Sequence, residues 1–375
     1  MLVLGLDIGG ANIKAATSDG GCASVAFAIW KNKTGLLQEL QQLPLLAGTR
    51  PDLVALTMTA ELADCFETKA EGVEFIIATV AEAFPDSVVR VWLTSGEFAE
   101  LHDAIELPQL VAAANWHALA TWAGRAVPVG PALLIDVGST TTDVIPLLNG
   151  IPCPQGFTDL QRLAYSELVY TGVRRTPICA IVHHVPLLDE SRLHELQSNN
   201  IGPADTLPIP VAAELFATSL DVHLINQDIA EDSQDLNTAD GRPATREAAL
   251  NRLAQVVCCD RDEISDVQLS FIGRHVAAQQ VTQIASAVIN RLRYVSDLAG
   301  TSPDSVQLLL SGSGDWLAEK AIAKCNIVPQ QPPIQLRTMF VRNVTDSACA
   351  FAVARLAAER CLDDLLPVSD LHGQS

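Results

Sequence analysis

Apolar residues come in short blocks whose period changes along the chain. MLVLGLDI (1–8) is a near-continuous apolar run, ANIKAATS (11–18) alternates, and CASVAFAIW (22–30) follows a turn at Gly20-Gly21. These read as three strands joined by short polar turns. Residues 34–47 have helical spacing, and PDLVALTMT (51–59) returns as a buried strand with Pro51 at its mouth. Thr68 and Glu71 have capping-box spacing and open a helix through Phe84. SVVRVWLT (87–94) is the next strand, and LPQLVAAANWHALATWAG (107–124) reads as one Ala-rich helix.

LLIDVGSTTTDVIPLLNG (133–150) then repeats the opening pattern: an apolar strand, Asp-x-Gly, a polar turn and a second apolar strand. Asp7 and Asp136 hold equivalent places. Between about 151 and 260 the pattern is irregular, with a basic loop feeding a strand in ELVYTGVRRTPICAIVHHVPLL, helical spacing over 211–225 and an acidic, turn-rich loop in EDSQDLNTADGRP. A long helix is expected over 271–298, then strand, glycine turn and helix in SVQLLLSGSGDWLAEKAI, and a last Ala-rich helix over 344–362.

Strands alternating with helices predict an α/β protein with a mixed sheet. At 375 residues the chain exceeds one ordinary core. The expected division is a first lobe over 1–128 completed by the helix at 345–362, a second lobe over 129–344 with an insert at about 151–260, and a tail over 363–375.

Composition narrows the function. Hydrophobic residues make up 49% and charged residues 18%, a balance that suits a packed enzyme. The formal charge of −20 repels phosphate backbones and anionic lipid, so neither nucleic acid nor a membrane is an expected partner. Nine cysteines without a CxxC pair read as reduced thiols in a cytoplasmic protein. The first apolar run is cut by Asp7 after six residues, so it reads as a buried strand, not a signal peptide.

The duplicated turns carry the candidate chemistry. Each places a carboxylate at the C-terminal end of a buried strand, where ligands of α/β proteins bind. Gly9, Gly10 and Gly138 let backbone N–H groups approach an anion. Ser139, Thr140 and Thr141 add hydroxyls, and Lys14 adds a point charge. Two such loops facing each other would grip a polyphosphate, with Asp7, Asp136 and Asp143 holding Mg²⁺ through water. Taken alone, one such turn is an ordinary strand-to-strand connection; the duplication is what points to phosphate. Gly312-Ser313-Gly314 could seat a ribose or flat ring, though a single GxG is also a plain strand-to-helix turn.

Other residues have two readings each. Arg174 and Arg175 could pair with a carboxylate or diphosphate, or be solvated surface arginines. Arg242 lies in a turn signal first and is a phosphate contact second. Asn115 is expensive to bury without a partner, whereas Trp116 reads as core. Asp221, three residues after Thr218, could face a cleft or solvent. His183, His184 and His223 lack a second ligand set and read as strand-end or surface histidines. Cys258 and Cys259 read as buried thiols, and loop 228–240 as solvated.

DIGGANIK, LLIDVGSTTTDV, LLLSGSG and the Ala-rich terminal helix, in that order, resemble the phosphate, adenosine and connecting segments of the actin/hexokinase/Hsp70 superfold. More narrowly, LTMTAELADCFETKAEGV, AAANW, GSTTTD, ELVYTGVRRTP and TADGRP resemble the short branch of the hydantoinase/oxoprolinase family. That branch is tied to tetrahydromethanopterin-linked C1 transfer and methanofuran-type coenzyme synthesis. The resemblance implies a two-lobed, ribonuclease H-like fold. It also implies a Mg²⁺-dependent transferase joining an aminomethylfuran-methyl diphosphate to the phenol oxygen of a γ-glutamyl-tyramine-like acceptor, with release of diphosphate. In such an enzyme Lys14, Thr140, Thr141 and the metal would stabilise the leaving group, and Glu61 would be the base near the phenol. Two alternatives stand beside it: an ATP-dependent small-molecule kinase or oxoprolinase-like ATPase, and a non-catalytic actin-like nucleotide-binding protein.

Overall fold

The computed structural model describes residues 1–188, 206–339 and 345–361. The first sheet is built from β1 (Val3–Ile8), β2 (Asn12–Thr17), β3 (Cys22–Ala26), β4 (Leu53–Met58), β5 (Val88–Trp92) and β6 (Phe98–Ala99). Their order is β3-β2-β1-β4-β5-β6, with β1 antiparallel to β2 and parallel to β4. Every residue of β1 and β4 is buried, as central strands covered on both faces require.

Further along come β7 (Pro131–Val137), β8 (Thr142–Leu148), β9 (Ile151–Pro152) and β10 (Leu168–Val169). A separate hairpin follows, β11 (His184–Leu188) with β12 (Thr206–Pro210), then β13 (Gln307–Ser311) and β14 (Ile334–Gln335). The second sheet has the order β10-β8-β7-β13-β14, with β7 antiparallel to β8 and parallel to β13. Both sheets thus share one plan: a central strand, an antiparallel hairpin on one side, parallel strands on the other. This is the duplicated mixed sheet of the two-lobed actin/hexokinase/Hsp70-like class that the sequence motifs imply.

The helices are α1 (Leu36–Gln41), α2 (Lys69–Ala83), α3 (Leu101–Glu106), α4 (Pro108–Val111), α5 (Asn115–Ala123), α6 (Asp159–Ala164), α7 (Ile178–Ile181), α8 (Ser219–Ile225), α9 (Arg246–Val256), α10 (Asp266–Ala299), α11 (Asp315–Lys324) and α12 (Ala348–Arg360). α2 starts as its sequence predicts: the Glu71 N–H donates to Thr68 Oγ1 at 3.1 Å, while Glu71 Oε2 accepts from the Glu67 N–H. α10 ends at Gly300, whose φ of 65° is a left-handed cap.

Three helical expectations were too long. Pro44 disfavours helix in the residue before it, and α1 stops at Gln41, short of the expected 47. The run 107–124 breaks into α4 and α5 around Ala113, which takes φ 50°. The run 211–225 is helical only from Ser219, because the Thr218 N–H donates to Asp221 Oδ2 at 2.8 Å and caps the start there.

α12 packs against β1, β2, β4 and α5. Its alanines share one core with Ala16, Leu53 and Ala55 from the first sheet and with Leu134, Ile145 and Leu309 from the second. Small residues make this close contact feasible. A Cβ at Gly5 would lie 2.0 Å from the Ala350 carbonyl oxygen, so only glycine fits in β1 at that point. The expected tail over 363–375 lies outside the described residues, as does Leu362 at the end of the expected last helix. A separate core draws on residues from Ile178 to Val276, so the first turns of α10 pack with the elements from α7 to α9.

Candidate active site between the two sheets

β1 and β7 deliver Asp7 and Asp136 to one cavity of about 570 Å³. The turns that follow them match in backbone. The Gly9 N–H donates to the Asn12 carbonyl at 2.9 Å, and the Gly138 N–H donates to the Thr141 carbonyl at 2.9 Å. Each returning strand then sets one residue opposite the aspartate: Lys14 opposite Asp7, and Asp143 opposite Asp136.

Asp7 Oδ1 and Asp136 Oδ1 are buried without a hydrogen-bond partner. Burial raises the Asp7 carboxyl above its usual range, against the pull of Lys14 and the Asn115 side chain. Burial also pushes Asp136 up to about 6, and the Asp143 charge adds to it. Burial works against the Lys14 charge, but Asp7, Cys349, Asp136 and Asp346 outweigh it and hold the ammonium above its usual range. The cavity lining sets five aspartates, Asp7, Asp64, Asp136, Asp143 and Asp159, against three cations, Lys14, Arg162 and Arg175. The surplus negative charge and the partnerless oxygens fit a bound cation.

Among the described residues, no group of three or more His, Cys, Asp or Glu side chains could hold a metal ion directly. Asp143, expected beside Asp7 and Asp136, also lines the cavity, and its Oδ1 is bound by the Arg162 guanidinium. Arg162 is itself buried, stacks 4.2 Å from the Trp116 ring and sits 3.8 Å from Asp159 Oδ1. Lys69 of α2 reaches Asp159 Oδ2 at 3.3 Å, which ties the first sheet's helices to α6 beside the cavity.

Gly9, Gly10, Gly138, Ser139, Thr140 and Thr141 all line the cavity. A Cβ at Gly10 would meet nothing within 4 Å, so no protein atom fills the space a ligand would use. The second loop is braced from behind. A Cβ at Gly172 would lie 2.6 Å from the Thr140 nitrogen, and the Val173 and Arg175 N–H groups donate to Gly138 and Ser139 carbonyls. Gln280 Nε2 donates to the Gly172 carbonyl at 2.8 Å, so its Oε1 must face His223 Nε2, 3.0 Å away. His223 Nδ1 faces Asp228 Oδ2 at 3.1 Å, so the ring is held at both nitrogens. The surface histidine expected at 223 is a buried brace.

Several expected site residues lie elsewhere. Gly312, Ser313 and Gly314 do not line the cavity. Gly312, at φ 88°, has room for no Cβ, which would lie 2.2 Å from the Val137 carbonyl, and a Cβ at Gly314 would lie 2.5 Å from Val137 Cγ1. These glycines let the turn pack on β7. Arg174 is bound to Asp235, and Asp221 is buried against Arg252 at 2.7 Å inside the insert's core. Arg252 also holds Asp240, so the acidic loop, largely exposed as expected, is pinned at that end by an ion pair. Arg242 is exposed beside Asp240. Glu61 does not line the cavity either. Both of its carboxyl oxygens are buried without partners, and burial pushes the group up to about 7.

Asn115 and Arg175 do line it. The break at Ala113 starts α5 at Asn115 and brings that side chain to Asp7. Trp30, Tyr170, Arg162, Asp159 and Cys349 line the cavity without any local signal in the sequence.

Residues 52–360 match the sequence model of the hydantoinase/oxoprolinase family. The chain is 31% identical over 359 residues to the (4-{4-[2-(γ-L-glutamylamino)ethyl]phenoxymethyl}furan-2-yl)methanamine synthase of Methanocaldococcus jannaschii, covering 95% of this chain and 97% of that one. It is 27% identical over 224 residues to the protein of the same name from Methanococcus vannielii, covering 60% and 89%. Nucleotide-free acetone carboxylase, an ATP-dependent enzyme, shares the fold with a TM-score of 0.50 at 11% identity, over 94% of this chain and 70% of that one. No helix among the described residues is long and apolar enough to cross a membrane. The chain is an enzyme of the hydantoinase/oxoprolinase family.

Proposed function

We propose that the enzyme forms the aryl alkyl ether of a methanofuran-type coenzyme precursor in tetrahydromethanopterin-linked C1 metabolism. The phenol oxygen of a γ-glutamyl-tyramine acceptor attacks the CH₂ of an aminomethylfuran-methyl diphosphate. A C–O bond forms, the carbon–diphosphate bond breaks, diphosphate leaves with the electron pair, and the phenol proton passes to solvent.

The observation that carries this reading is the convergence of two matched Asp-Gly turns, each with an unpartnered carboxylate oxygen, on one cavity. The relatives' printed names supply the two halves of the product. Displacement at a furfuryl carbon builds positive charge that the ring delocalises, so the main demand is stabilising the departing diphosphate. Lys14 meets that demand with a charge fixed between Asp7 and the cavity. Thr140, Thr141 and the N–H groups around Gly10 and Gly138 supply donors. Asp7 and Asp136 would hold hydrated Mg²⁺, which when bound would supply further positive charge to the leaving oxygens. Asn115 keeps the Asp7 carboxylate oriented.

The test is turnover by purified protein with Mg²⁺, the furfuryl diphosphate and γ-glutamyl-tyramine, without ATP. One pyrophosphate per ether product is the expected result. A strict need for ATP with ADP formation would transfer the site to the kinase or oxoprolinase-like alternative.

A further inference from the structure

The cavity changes character from floor to mouth. Its floor is charged and loop-lined, whereas its rim carries Trp30, Leu62 and Tyr170, which keep 37%, 56% and 61% of their surface exposed. Large apolar side chains left open beside a charged floor gain from being covered by a ligand. Arg175 completes this rim, with its guanidinium 5.2 Å from the Trp30 ring centroid.

Trp30 and Arg175 are fastened to the two turns. The Ile29 N–H donates to the Gly10 carbonyl at 3.1 Å, and the Arg175 N–H donates to the Ser139 carbonyl at 3.1 Å. The cation–π pair therefore spans the cleft at a place set by the phosphate-type loops beneath it. A guanidinium held over an aromatic face keeps its N–H edge available for a carboxylate.

We infer that this rim is the acceptor subsite: Trp30 and Tyr170 take the flat phenol ring, and Arg175 takes the carboxylate of its γ-glutamyl tail. The inference rests on the ether-forming reading for the identity of the acceptor; the ligand chemistry, a ring with a distal carboxylate, comes from the rim itself. Of the two partners that its sequence suggests, a carboxylate or diphosphate, it assigns Arg175 the carboxylate of the second substrate.

The test is calorimetric titration of the full-length protein with γ-glutamyl-tyramine, with tyramine, and separately with Mg²⁺-pyrophosphate. Trp30→Ala and Arg175→Gln should each weaken γ-glutamyl-tyramine by about tenfold. Tyr170→Phe, which keeps the ring, should bind as the wild type does, and Tyr170→Ala should not. Arg175→Gln should reduce γ-glutamyl-tyramine to the affinity of tyramine, and pyrophosphate binding should be unchanged in every variant. Equal acceptor binding by wild type and variants, no acceptor binding at all, or loss of pyrophosphate binding in Arg175→Gln would overturn the subsite. A subsite that behaves as expected in a protein making no ether would instead reject the proposed reaction, so the two failures are separable. Matching thermal unfolding curves would establish that the variants are folded.

Discussion

Lys14 and Asp143 occupy the same place in two copies of one hairpin, each seven residues after a strand-end aspartate and directly opposite it across an antiparallel pair. The backbone of the repeat is preserved and the charge at this position is reversed. Lys14 is held charged by the carboxylates around it, while Asp143 is matched by Arg162. One turn thereby carries a cation into the cavity, and the other places a carboxylate beside Asp136 that Arg162 neutralises.

Lys14→Met removes the only lysine among the described residues that line the cavity. Turnover should fall by about 10² to 10³, the scale seen when a preorganised donor to a leaving or developing anion is lost. Mg²⁺-pyrophosphate affinity should fall with it, and steady-state kinetics with titration calorimetry would read both.

Asp136 makes stability depend on pH with a definite sign. Its carboxyl sits at about 6 in the folded protein against an ordinary 3.8, so between these values the folded state binds the proton more tightly than the unfolded one. The apoprotein should therefore lose stability as pH rises from about 4 to 6, by about 3 kcal/mol for this group. Asp136→Asn should flatten that slope in thermal melts, and Mg²⁺ with pyrophosphate should offset the loss in the wild type above pH 6.

Glu61 acts in the same direction over a higher window, from 4.5 to about 7. Its ionised form is buried without partners, so Glu61→Gln should raise the melting temperature at pH 8 and have little effect at pH 5. Melts at both pH values would check it.

Arg162 bridges Asp143 and Trp116 in a buried position. Arg162→Met leaves the Asp143 carboxylate uncompensated and should destabilise the fold by about 3–5 kcal/mol. Adding Asp143→Asn should recover much of that loss, and denaturant unfolding of the single and double variants measures the coupling.

The repeated turns were legible because their information is local. An apolar strand, Asp, a spacer and Gly determine the turn, and the alternation after it determines which residue returns opposite the aspartate. The partners that close the site come from far along the chain and have no local signature. Arg162 finds Asp143 and Trp116, Arg175 finds Trp30, and Gln280 finds Gly172 from 108 residues away. The errors have the same origin. Arg174 and Asp221 read as free charges, yet Asp235 and Arg252 neutralise them across the insert. The close contact of Gly312 and Gly314 with Val137 is likewise long-range and has no local signature.

The most direct measurement is pyrophosphate affinity with and without Mg²⁺ for wild type, Asp7→Asn, Asp136→Asn and the double variant. If one diphosphate is gripped from both sheets through a shared cation, Mg²⁺ is required, either substitution alone removes most of the affinity, and the second adds little. Tight binding that survives Asp7→Asn or Asp136→Asn, or that ignores Mg²⁺, would contradict the account.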